Sequence, residues 1–136
     1  MLAWLHADLG ALDEAQLWAE RLVGNARVRG LPLDEARGHW VLGEVLRCAG
    51  RLDAAERELD LALTQVRAIS PIDLPAVLAS MAHLRLAQGR PADALAATVE
   101  ATALVLASGT CSPFFRDAHL HVAHAISLWE TGDQPE

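Results

Sequence analysis

A short motif built on glycine recurs about every 40 residues and constrains this chain more than any other feature. It reads Gly10-Ala11-Leu12-Asp13-Glu14-Ala15, then Gly50-Arg51-Leu52-Asp53-Ala54-Ala55, then Gly89-Arg90-Pro91-Ala92-Asp93-Ala94. A fourth copy opens at Gly132-Asp133-Gln134-Pro135-Glu136. A fixed period in this range marks stacked supersecondary units, none of which buries its apolar face alone. The function class that follows is a binding or scaffolding surface.

The segments between the motifs read as helices. Val41, Leu42, Val45, Leu46 and Ala49 fall at helical spacing within 34–49, and Leu52, Ala55, Leu59, Ala62, Leu63 and Val66 do the same within 52–68. Segments 74–88 and 91–107 repeat that pairing. Segments 12–28 and 114–131 complete the set, with residues 2–9 as the tail of an earlier first helix. Seven helices result. Hydrophobic residues make up 52% of the chain, mostly the helix formers alanine and leucine, and β-branched and aromatic residues are sparse. The expected fold is therefore all-α.

Two kinds of connection alternate. A short one is centred on Gly10, Gly50 and Gly89, where glycine accepts the left-handed conformation that ends a helix. A longer one contains proline, in Gly30-Leu31-Pro32, Ser70-Pro71-Ile72 and Ser112-Pro113, with Asp34, Asp73 and Ser112 placed to cap the helix that follows. Small residues stand seven positions before each motif glycine (Ala3, Gly43, Ala82, Ala125) and five after it (Ala15, Ala55, Ala94). Leu22, Ala62 and Ala101 stand twelve after it. Small groups there let the two helices of a hairpin approach closely.

This set of offsets resembles the tetratricopeptide repeat across nearly the whole chain. The period is about 40 residues rather than 34, and Leu12, Leu52 and Pro91 stand where an aromatic is usual. The longer spacing is similar to that of kinesin light chains and of large bacterial regulators resembling the maltose-operon activator. HEAT-type repeats share the longer period and are the alternative fold. The resemblance implies a right-handed α-solenoid over residues 1–136, with repeats at 1–30, 31–70 and 71–110 and a half repeat at 111–136. The chain reads as a piece of a longer solenoid. It implies a noncatalytic protein- or peptide-binding role, with an effector-sensing module of a larger bacterial regulator, or a self-association element, as alternatives. First helices line the concave face in such arrays. By register that face takes Trp4, Asp8, Trp40, Glu44, Arg47, His83, His119, Ile126 and Trp129. Trp18, on a second helix, is expected to pack between hairpins.

Other chemistry is thinly represented. The net charge is -7 and all 11 basic residues are arginine, so no positive stripe for nucleic acid is expected. Lysine-free Ala/Arg/Leu usage points to a GC-rich bacterial source. No apolar run approaches the roughly 20 residues of a membrane span. The start, Met1 to Asp8, lacks the basic region of a signal peptide. Cys48 and Cys111 show no metal or disulfide spacing, which suits a cytoplasmic protein with free thiols. Asp117, His121 and His124 share one helix face and carry zinc-ligand chemistry, but no HExxH motif accompanies them, and neither a metal nor another cofactor is expected. No GxSxG or phosphate-binding loop is present. The helix at 114–131 carries apolar groups around much of its circumference, so homodimerisation or end-to-end association through it is expected.

Overall fold

A computed structural model describes the backbone over residues 9–108 and 117–132, and side-chain surroundings over 11–107 and 120–132. Six α-helices are present among the described residues: α1 (Leu9–Val28), α2 (Pro32–Cys48), α3 (Leu52–Ile69), α4 (Leu74–Ala87), α5 (Pro91–Ser108) and α6 (Asp117–Glu130). A 3-10 turn over Pro71–Asp73 precedes α4. No strand occurs among these residues. The helices divide into two compact units, Met1–Ile69 and Ser70–Glu136. The expected seventh helix, at residues 2–9, lies outside the described residues except for Leu9, which belongs to α1, and Ser112 lies outside them as well.

Glycine ends four of the helices. Gly30, Gly50, Gly89 and Gly132 have φ of 65°, 77°, 72° and 91°, a region costly for any residue with a Cβ. The next residue donates its N–H back into the last helical turn: Leu31 to Ala26, Arg51 to Leu46 and Arg90 to Arg85, at 2.9, 2.9 and 2.8 Å. These bonds satisfy carbonyls that the helix end would leave open. Nothing lies within 4 Å of a Cβ built at Gly50. Gly50→Ala is therefore expected to cost about 1 kcal/mol, from backbone strain alone. Urea unfolding followed by circular dichroism measures this.

Three local expectations are corrected. Gly10 lies inside α1 rather than at a turn. Glycine permits the left-handed conformation without requiring it, and the helix-favouring Leu9 and Ala11 flank it. Second, Pro32 opens α2 directly after Leu31, so Asp34 sits in the first turn and is not the N-cap. Proline's fixed φ and missing N–H suit that first position. Third, Asp73 does occupy the N-cap position of α4, but it makes no side-chain cap bond there. Its carboxylate instead accepts a 2.9 Å hydrogen bond from Ser70 Oγ.

In the first unit α2 packs between α1 and α3. The sequence allows this because α2 presents a glycine to each neighbour. A Cβ on Gly38 would lie 2.8 Å from Val23 Cγ2 of α1. A Cβ on Gly43 would lie 2.6 Å from Leu59 Cγ of α3. Leu59, Ala55 and Ala62 are fully buried, as the offsets from Gly50 require. One polar tie crosses the same contact. The buried His39 imidazole donates from Nδ1 to Glu58 Oε2 at 2.5 Å. On the solvent side Arg51 reaches Asp13 and Gln16 of α1.

In the second unit α4 packs on both α5 and α6, and α5 on α6. Ala82, Ala94 and Ala123 form a fully buried cluster, with Leu86 and Ala97 against it. Thr98 Oγ1 donates to the Leu95 carbonyl at 3.0 Å and lies 2.8 Å from His124 Nδ1 of α6. A hydroxyl already donating to a carbonyl accepts from the imidazole N–H, so α5 and α6 are tied by a polar bond. The register of small residues weakens at both ends of the chain. Leu22 is 43% exposed and Ala125 is exposed, while Val23, Leu120, Ala123 and Ser127 take the buried positions.

Candidate functional site

A helix flanked by two others has one face left. On α2 the face toward α1 carries Gly38, Leu42 and Val45, and the face toward α3 carries His39, Gly43 and Leu46. What remains is the stripe Trp40, Glu44 and Arg47, spaced four and three residues apart. All three are partly exposed.

The polar part of this stripe is fixed in place. Arg47 donates from Nε to Glu44 Oε1 and from a terminal nitrogen to Glu44 Oε2, both at 3.1 Å. The fork-to-carboxylate geometry orients both groups. Burial opposes the guanidinium charge, but the Glu44 hydrogen bond and charge outweigh it and raise Arg47 above its ordinary range. Neighbouring Cys48 is pushed up by burial, against the pull of Arg47 and with the help of Glu44, so its thiol stays protonated at neutral pH. The arrangement offers an aromatic surface beside a constrained ion pair.

The same register recurs on the other first helices. On α4 it falls at Ala79, His83 and Leu86. Ala79 is buried and the other two are partly exposed. On α6 it falls at Val122, Ile126 and Trp129, which are 51%, 41% and 60% exposed. The described members of the expected set thus divide into Trp40, Glu44 and Arg47 on one helix of the first unit, and His83, Ile126 and Trp129 in the second. Trp4 and Asp8 lie outside the described residues, as does the side chain of His119.

Two further expectations can be placed. Trp18 does not pack between hairpins. It is 60% exposed, with the Arg21 guanidinium 5.3 Å from its ring centroid. The helix face it occupies meets no other described helix, so its ring takes a cation instead of apolar neighbours. His121 is exposed, His124 is engaged by Thr98, and the Asp117 side chain lies outside the described surroundings. Among the described residues no three His, Cys, Asp or Glu side chains gather as metal ligands. No helix there is long and apolar enough to cross a membrane.

The His39–Glu58 tie was missed by sequence reasoning. Its partners stand 19 residues apart on different helices. Their positions relative to Gly50 are the only signal, and a single copy of the pair gives that signal no repetition.

Comparison with curated proteins and with solved structures returned no match. Two segments, residues 36–61 and 75–98, match the family model described as Tetratricopeptide repeat. Each begins in a first helix, crosses the glycine turn and runs well into the second helix. The α2–α3 and α4–α5 hairpins are accordingly similar to tetratricopeptide repeats.

Proposed function

We propose that this chain is a noncatalytic recognition module that binds a protein or peptide through the outward stripes of its first helices. The observation that carries the reading is the third face of α2. Packing consumes the other two faces, and what remains is a tryptophan beside a pinned Glu44–Arg47 pair. Tryptophan and arginine are over-represented among residues that dominate binding energy. The equivalent stripes of α4 and α6 offer further contact positions within the second unit. The hairpins are read as repeats of the long-period variety, in a cytoplasmic bacterial protein. A partner presenting an extended or helical segment would lay an apolar anchor against Trp40 and hydrogen-bond donors against Glu44.

Peptide-display selection against the intact chain supplies a ligand for the test. Titration calorimetry with the selected peptide is expected to show affinity lowered about tenfold or more by Trp40→Ala and by Glu44→Ala. Asp60→Asn, on the exposed side of α3, is expected to leave it unchanged. Equal affinity for all these variants would refute the assignment of the surface.

A specific observation supports a second role, association through α6. Val122, Ile126, Leu128 and Trp129 are all exposed on that one helix. Apolar exposure on this scale favours contact with another chain.

A further inference from the structure

We infer that α6 of one copy packs on α1 of another, so that the two chains complete a helical hairpin between them. This rests on the association role of α6 and names the surface it meets. The argument comes from register. Within the chain, α2 meets α3 through His39, Gly43 and Leu46, which stand eleven, seven and four residues before Gly50. His39 reaches Glu58, and Gly43 lies under Leu59. The residues at those offsets before Gly132 are His121, Ala125 and Leu128, and all three are exposed. The opposite face of α6, with Leu120, Ala123 and Ser127, is buried. Helix α6 therefore has its neighbour on one side, while the face by which a first helix holds its second helix stands open.

Helix α1 shows the complementary condition. It packs on α2 through Val23, which touches Gly38. In α3 the face toward the first helix carries Ala55, Glu58 and Ala62, of which both alanines are fully buried. The residues at those offsets in α1 are Ala15, Trp18 and Leu22. Ala15 is partly exposed, Trp18 is 60% exposed and Leu22 is 43% exposed. A second-helix face stands open there, as a first-helix face does on α6. A second copy of this chain carries both faces in matching register.

Shape agrees with the pairing. Ala125 takes the place of Gly43 and keeps a small residue at the point of close approach, and Ala19 stands at the offset of Leu59, so the methyl that Ala125 adds has no leucine to displace. Trp18 stands at the offset of Glu58, where His39 is met, so it would face His121. A contact between two different faces is heterologous, and it propagates head to tail unless a rotation closes it.

Sedimentation equilibrium of the intact chain tests this. Leu22→Glu and Ala125→Glu change exposed positions, so helical circular dichroism should be retained. Trp18→Arg and Leu128→Arg replace them if either fails to fold. The wild type is expected to exceed its 14.6 kDa monomer mass increasingly with concentration. Each single variant is expected to be monomeric. An equimolar mixture of the two is expected to restore one contact and stop at a dimer holding one copy of each. If Ala125→Glu is monomeric while Leu22→Glu still associates, α6 is an interface but α1 is not its partner, and this proposal alone fails. If the wild type is monomeric throughout, or Ala125→Glu associates like wild type, the association role of α6 fails with it.

Discussion

Replacing Ala55 or Ala94 by glutamate is expected to unfold the unit that contains it. Both side chains are 0% exposed. Ala55 lies on the α3 face that receives α2, and Ala94 joins Ala82 and Ala123 where α4, α5 and α6 meet. A glutamate there must either displace a helix or bury an unpaired carboxylate. The second course costs several kcal/mol, comparable with the roughly 5–15 kcal/mol that holds a whole domain folded. Ala82 and Ala123 offer a carboxylate no hydrogen-bond donor, and Leu59, one turn on from Ala55 along the same face of α3, offers none from its side chain. Thermal melting followed by circular dichroism is expected to lose the transition of the altered unit. Unchanged melting in both variants would show that these positions are not helix contacts.

The second large effect concerns Gly43 and Leu59. Gly43→Ala adds a methyl 2.6 Å from a leucine side chain that is itself fully buried. The leucine cannot swing to solvent, so the helices must separate, at about 1–3 kcal/mol. Leu59→Ala alone leaves a cavity and is expected to cost about 2–5 kcal/mol. The double variant is expected to be more stable than the sum of the two losses, because the new methyl enters the space the leucine left. Strict additivity in urea titrations would deny that the two residues touch.

Much of this fold is legible in the sequence because it repeats. Gly50 and Gly89 announce helix ends by the same offsets, and Ala55, Ala62, Ala82, Ala94 and Ala101 announce the contacts around them. Each copy corroborates the others. The misreadings occur where repetition stops. Gly10 has the motif of a turn but lies in a helix, since the motif permits a turn and packing on both sides enforces one. Trp18 looks like a core residue by type, yet which side of a second helix is covered depends on a neighbour that local pattern does not specify. Leu22 and Ala125 carry the right residue types at positions where no described helix packs on them. The α2 stripe was legible because helical geometry alone places Trp40, Glu44 and Arg47 together. The Glu44–Arg47 pairing follows from their three-residue spacing, whereas His39–Glu58 required the hairpin to be built first.

The central claim is that a partner binds the outward stripe of α2, and site-specific photocrosslinking addresses it most directly. A photoreactive amino acid is placed at position 44 in one variant and at position 60 in another, and each is irradiated with the display-selected peptide. Covalent adduct at position 44, and none at position 60, is the expected result. Adduct at position 60 with none at position 44 would contradict the account.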